Sequence, residues 1–225
     1  MEIVLASRNK NKIKELQALL SELCSDSVKV LSLDDIGYMG DIEEDGESYE
    51  ENALIKASVP ASMGYIGVAD DSGLSVDALD GGPGIFSARY AGENVTYADN
   101  NALLLKNMES VPDGSRGCAF VSVIALAAPR GMLNITSPAD EKLLTFAEKR
   151  SGRPVDILTV RGECRGEVLR EERGEKGFGY DPLFYVESEK ATFAQLSPEV
   201  KNKISHRGRS MRAFAAELKK ICNAE

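Results

Sequence analysis

A chain of 225 residues, 43% apolar and 28% charged, has the length and composition of one or two small globular domains with a true hydrophobic core. Its formal net charge of −9 excludes unspecific nucleic-acid binding, yet permits a small anionic ligand if cations are gathered in one place. The four cysteines, Cys24, Cys118, Cys164 and Cys222, form no CxxC pair and so signal neither a zinc site nor a redox motif.

In chain order, residues 2–6 ("EIVLA") read as a short buried strand. Ile13, Leu16, Leu19, Leu20 and Leu23 recur at helical spacing and predict a helix from about Lys10 to Leu23. Residues 28–33 are a second strand candidate. "GESYEENALIKASV" predicts a helix with Tyr49, Ala53 and Ala57 on one stripe, opened by Asp45 or Gly46 and ended or bent at Pro60. Residues 66–79 read as a hairpin, with Ile66, Val68 and Ala69 in one strand and Leu74, Val76 and Ala78 in the next. "GGPGIFSARYAG" is a loop and "YADNNALLLKNM" a helix. "GCAFVSVIALAAP" is the longest apolar strand, expected at the centre of a sheet with "RGECRGEVLREE" as its neighbour. The last helix, "SHRGRSMRAFAAELKKI", turns Met211, Phe214, Leu218 and Ile221 inward. Strands and helices without strict alternation predict an α/β fold with a mixed sheet. No run reaches membrane-spanning length and no basic leader opens the chain, so the expectation is a cytoplasmic protein with neither membrane nor nucleic-acid partner.

Five stretches can carry chemistry. "SRNKNK" (Ser7, Arg8, Asn9, Lys10, Asn11, Lys12) lies between a strand and a helix, where backbone N–H groups and the helix dipole favour an anion. A capped helix with a solvated basic first turn explains the same residues. In "EEDGESYEENALIK", Asn52 and Lys56 share a helix face, and Glu43 and Glu44 precede the helix where loop carboxylates can hold a hard cation. An acidic solvated helix start is the alternative. "VADDSGLSVD" sets Asp70 and Asp71 side by side, an arrangement that repels unless a positive group sits beside it. A divalent cation is one such group, while plain turn formation is the other reading. "GFGYDP" offers Phe178 for stacking on a nucleobase, with Gly179, Tyr180 and Asp181 around it. "KNKISHRGRS" joins Lys201 to the sole histidine, His206, and to Arg207, either as a basic ligand wall or as an ordinary helix start.

Together these stretches resemble the inosine/xanthosine triphosphate pyrophosphatases. The likeness runs through Ser7, Asn9 and Lys12, "ENALIKA", "ADDSGL", "GPGIFSARYAG", "GFGYDPLF" and "SHRG", six motifs in order along most of the chain. It implies hydrolysis of non-standard purine nucleoside triphosphates to the monophosphate and pyrophosphate. It implies an elongated mixed sheet flanked by helices, two lobes with a central active-site cleft, a homodimer, and Mg²⁺ as cofactor. Residues Ser7 to Lys12 and Lys56 would hold the triphosphate. Glu44 and Asp71 would bind magnesium, with Asp71 also the general base, and Ser72 would touch substrate. Phe178, Gly179, Tyr180, Asp181, Lys201, His206 and Arg207 would surround the base and its phosphates. The whole of 1–225 would be one pyrophosphatase domain. One departure from the family pattern is an inserted helical segment at about 130–156, in which Ser137 can cap a helix, Pro138 fits its first turn and Gly152 lies beyond its end. A related pyrophosphatase of Maf type with another base preference, and a sensor that binds a triphosphate without cleaving it, are the competing readings. "FGYDP" and "SHR" favour the purine family, and the intact Asp71, Glu44 and Lys56 favour an enzyme.

Overall fold

The computed structural model describes residues 1–7, 13, 16, 17, 20, 21, 28–135, 137 and 139–222. Seven strands form one sheet: β1 (Glu2–Leu5), β2 (Lys29–Leu31), β3 (Ile66–Val76), β4 (Gly117–Pro129), β5 (Val155–Val168), β6 (Phe184–Val186) and β7 (Ala191–Thr192). Their order is β2-β1-β3-β4-β5-β6-β7. β1 runs parallel to β2 and β3, whereas β6 runs antiparallel to β5 and β7, so the sheet is mixed. The apolar β4 occupies the middle place, as its sequence predicts, with β5 beside it. The helices with described bounds are α1 (Tyr49–Ser62), α2 (Tyr97–Asn107), α3 (Glu141–Ser151), α4 (Pro198–Ile204) and α5 (His206–Cys222). None among the described residues is long and apolar enough to cross a membrane.

The chain divides into two compact units. The first comprises Met1–Asp71, Val123–Arg161 and Ser210–Glu225, and the second Ser72–Ser122 and Gly162–Arg209. The first unit's core gathers Ile3, Leu5, Ile66, Val68, Ile124, Leu126 and Leu158 from strands with Phe214 and Leu218 from α5. The described part of the predicted first helix, residues 13, 16, 17, 20 and 21, is helical, and Leu16 and Leu20 enter the same core. Gln17 ties this segment to β2, donating to the Val28 carbonyl at 2.9 Å and accepting from the Val30 amide at 2.7 Å. The second unit's core is more aromatic, with Phe120, Phe184 and Phe193 mutually packed beside Leu74, Leu104, Met108 and Leu183.

Three local expectations are corrected. The predicted 66–79 hairpin is a single strand through Val76. Asp, Ser and Gly in sequence imitate a turn, but the alternation of side chains along a strand separates the two carboxylates onto opposite faces, which removes the repulsion that a turn was needed to explain. Helix α1 is capped by Ser48, whose Oγ accepts from the Glu51 amide at 3.1 Å, rather than by Asp45 or Gly46. Helix α3 is capped by Asp140, whose carboxylate accepts from Lys142 and Leu143 amides, while the Ser137 hydroxyl donates to Glu217 at 3.0 Å instead. Gly152 closes α3 in the left-handed conformation, as predicted; Pro138 lies outside the described residues.

Gly67 decides how closely α1 approaches β3. A Cβ at this position would lie 2.0 Å from the Ala57 carbonyl oxygen, so the helix backbone packs directly onto the strand. Gly67, Ala69 and Asp71 share one strand face. That close approach brings Lys56, next to Ala57 on α1, within reach of Asp71.

Candidate active site

In the first unit, the Lys56 ammonium donates to Glu44 Oε2 at 2.8 Å and to Asp71 Oδ1 at 3.0 Å. Three elements meet here: the loop before α1, α1 itself and the middle of β3. Lys56 and Asp71 are largely buried and Glu44 is half-exposed. The Asp71 carboxyl is pushed up to about 6: burial raises it most, Lys56 works against that, and the neighbouring Glu44 adds to the rise. Burial alone would lower the Lys56 pKa, but Asp71 and Glu44 together outweigh it and the net shift is upward. The group beside Asp71 that makes its charge tolerable is therefore Lys56, fifteen residues earlier in the chain.

Among the described residues this cluster holds one ammonium against two carboxylates, a surplus of negative charge. Among the described residues Asp71 Oδ2, which is buried, has no hydrogen-bond partner, a costly state for a carboxylate oxygen. Among the described residues no group of three or more His, Cys, Asp or Glu side chains could hold a metal ion. Two carboxylates nevertheless fit Mg²⁺, which takes one or two of them and completes its shell with water and substrate phosphate oxygens. The partnerless Oδ2 is the atom such an ion would satisfy.

Of the "SRNKNK" residues, Ser7 follows β1 with its amide donating to the Leu5 carbonyl at 2.7 Å. Arg8, Asn9, Lys10, Asn11 and Lys12 lie outside the described residues. Asn52 is a framework residue: it is buried, and its Oδ1 accepts from the Gly46 amide at 2.9 Å, which shapes the loop that carries Glu44.

In the second unit, Ser72 is half-buried in β3. The "GFGYDP" stretch is a loop built around Asp181. The Asp181 Oδ2 accepts from the Phe178 amide at 2.9 Å and from the Lys201 ammonium. Gly177 has φ +82°, and a Cβ there would lie 2.0 Å from Asp181 Oδ2, so only glycine permits the turn. The Phe178 ring stands outward, with Lys201 Nζ 5.3 Å from its centroid. Tyr180 points the other way: it is buried, and its hydroxyl donates to the Ser87 carbonyl at 2.9 Å. Burial raises the Tyr180 hydroxyl's pKa well above the usual range. The His206 ring packs on Phe120, centroids 4.7 Å apart and 15° from parallel. Arg207 follows it, half-buried, in the first turn of α5. The structure thus gathers Phe178, Asp181 and Lys201 into one cluster and places Tyr180 and His206 against the aromatic core.

Two residues that are not among the candidate site residues of the sequence hold these loops, Ser87 within a motif and Asn101 outside all of them. Ser87 Oγ accepts from the Leu74 amide at 2.8 Å and donates to the Gly84 carbonyl at 2.6 Å, fixing "GPGIFSARYAG" to β3. Asn101 donates to the Gly179 carbonyl at 3.2 Å and to Glu172 at 2.6 Å. Asn101 sits inside a plain amphipathic helix pattern, and no spacing in the sequence marks it.

Residues 3–217 match the family model described as the Ham1 family. The chain belongs to the Ham1 family. A Geobacter sulfurreducens protein named dITP/XTP pyrophosphatase is 46% identical over 210 residues, covering 93% of this chain and 92% of its own length. A Pseudomonas aeruginosa protein of the same name is 44% identical over 218 residues, 96% of each chain. Among solved structures, the Staphylococcus aureus Ham1 protein superposes with a TM-score of 0.82 at 34% identity, covering 98% of this chain and 99% of that one. A HAM1 protein from Coxiella burnetii gives 0.81 at 40% identity with the same coverage. The mixed seven-stranded sheet flanked by helices is therefore the Ham1 fold.

Proposed function

We propose that the protein is a nucleoside triphosphate pyrophosphatase that hydrolyses non-standard purine nucleotides, those of inosine and xanthosine, to the monophosphate and pyrophosphate and so cleanses the nucleotide pool. Relatives named dITP/XTP pyrophosphatase, 46% and 44% identical over nearly the whole chain, support the reading. The observation in the molecule that carries it is the Glu44–Lys56–Asp71 cluster with its buried, partnerless carboxylate oxygen.

A triphosphate carries roughly four negative charges, so a nucleophile reaches phosphorus only where cations neutralise them. Lys56 supplies one fixed cation, and Ser7 to Lys12 are proposed as further phosphate ligands. Glu44 and Asp71 would hold Mg²⁺, which when bound supplies charge neutralisation and eases deprotonation of water. Asp71 takes the proton from the water that attacks the α-phosphorus, and pyrophosphate leaves. A carboxylate fixed beside the reacting water is the type of group that serves as general base. Ser72 is proposed as a substrate contact. Phe178 stacks on the base, and Asp181 and Lys201 hold the loop that presents it. Gly179 and Tyr180 shape that loop, and His206 and Arg207 complete the surrounding wall. Both units serve one pyrophosphatase domain, with the 130–156 segment as a helical insertion in it, and the family implies a cytoplasmic homodimer. Incubation with inosine triphosphate, with and without Mg²⁺, tests the function. Inosine monophosphate and pyrophosphate in equal amounts are expected, whereas release of orthophosphate alone, or no turnover, contradicts it.

A further inference from the structure

Large aromatic rings in the second unit are mostly buried: Phe120, Phe184, Phe193 and Tyr180 all line its core. Phe86 is exposed but lies under the Arg89 guanidinium, 5.2 Å from its ring centroid. Phe178, with Lys201 Nζ 5.3 Å from its centroid, and Tyr97 stand side by side. They remain 58% and 56% exposed, and their ring centroids are 6.2 Å apart at an angle of 38°. At that tilt neither ring is stacked on the other's face, and the pair presents two neighbouring, half-exposed aromatic rings beside the Lys201 ammonium, within reach of one flat ligand.

The pair is held in place from both sides. Tyr97 is the first residue of α2 and lies within a complete capping box, in which Thr96 Oγ1 accepts from the Asp99 amide at 3.2 Å and Asp99 accepts from the Thr96 amide at 2.8 Å. One turn further, on the same helix face, Asn101 grips the Gly179 carbonyl, the residue after Phe178. Asn101 is only 4% exposed, and Glu172 takes its other amide proton at 2.6 Å. The helix that carries Tyr97 and the loop that carries Phe178 are therefore hydrogen-bonded to each other.

We propose that Tyr97 is a second aromatic contact for the purine base, sharing it with Phe178, and that Asn101 is the positioning residue that keeps the two rings in register. The inference rests on the pyrophosphatase reading for the identity of the ligand, a purine nucleotide. Aromatic stacking accepts any base, so Tyr97 adds affinity and no choice among purines. It enters the substrate complex and the transition state alike, and its loss raises KM while leaving kcat in place.

The test measures KM and kcat for inosine triphosphate, and calorimetric binding of inosine monophosphate, in wild type, Tyr97→Ala, Tyr97→Phe, Phe178→Ala and the Tyr97→Ala/Phe178→Ala double variant. Tyr97→Ala is expected to raise KM and the monophosphate Kd about five- to tenfold, with kcat within about twofold and an unchanged thermal midpoint. Tyr97→Phe, which keeps the ring, restores both values to within about twofold. In the Phe178→Ala background the Tyr97 effect shrinks, because the two rings serve one ligand. Unchanged binding in Tyr97→Ala, or an equal effect with and without Phe178, overturns the proposal. If wild type fails to cleave inosine triphosphate, the functional reading falls, and monophosphate binding still decides whether Tyr97 contacts a purine. Asn101→Ala is expected to reproduce part of the Tyr97→Ala rise in KM, and no change in KM there removes its positioning role.

Discussion

The Lys56–Asp71 and Lys201–Asp181 pairs do different things. In the first unit Lys56 faces Asp71 and also Glu44, so among the described residues the cluster is short of positive charge and one Asp71 oxygen is buried without a partner. In the second unit Lys201 faces Asp181 alone, the charges balance, and the same Asp181 oxygen also fastens the Phe178 amide. The first cluster stands on a helix and a strand packed backbone to backbone at Gly67. The second stands on a loop, wound by Gly177 and tied down by side chains. A residue pair alone does not say whether it is chemistry or scaffold. The charge count and the state of each oxygen do. An unbalanced cluster with an unsatisfied atom is ready to receive a cation, while a balanced one shapes the chain around it.

This contrast can be broken by substitution. Asp71→Asn keeps the shape but removes a charge and the proposed base, and kcat for inosine triphosphate should fall about 10²-fold or more. Near-normal turnover would move the base elsewhere, with Asp70 on the opposite strand face the next residue to examine. Gly67→Ala forces a Cβ against the Ala57 carbonyl and should destabilise the protein by about 2 kcal/mol in denaturant melts, with activity lost alongside as Lys56 is displaced. Wild-type stability in that variant would mean that α1 and β3 can separate without cost. Asp181→Asn should act mainly on KM, raising it about tenfold as the Phe178 loop loosens, because a hydrogen bond to a charged group is lost. A collapse of kcat with KM unchanged would instead place Asp181 in the chemistry. Tyr180→Phe strips one buried hydroxyl from the Ser87 carbonyl and should cost about 1 kcal/mol of stability. A large loss of substrate affinity without loss of stability would show that the hydroxyl contacts the ligand.

Much of this organisation is legible in the sequence because it is periodic. Apolar spacing marks α1, α2 and α5, and the continuous apolar run of β4 marks the centre of the sheet. Asp71 and Lys56 are recognisable from motifs, but their contact is not, since it depends on the close approach at Gly67. The hairpin error has one cause: Asp70, Asp71, Ser72 and Gly73 are all turn formers locally, and pairing with neighbouring strands overrides that preference. Helix caps at Ser48 and Asp140 were displaced from the expected positions by a few residues, because several candidate caps crowd each helix start. Tyr97 and Asn101 carry no local signal, and the motif around Ser87 does not say what its hydroxyl holds. Their roles arise from contacts with residues far along the chain, such as Leu74, Gly179 and Glu172.

The Mg²⁺ dependence of turnover separates the two lysine–aspartate clusters most directly. Initial rates with inosine triphosphate would be measured across Mg²⁺ concentrations for wild type, Glu44→Gln and Asp181→Asn. The first cluster is proposed to receive the cation and the second is not, so Glu44→Gln should raise the half-saturating Mg²⁺ concentration about tenfold, the low end of what loss of a supporting ligand costs. Asp181→Asn should leave that concentration within about twofold of wild type. Equal shifts in both variants, or a shift only in Asp181→Asn, would contradict the assignment of the cation to Glu44 and Asp71.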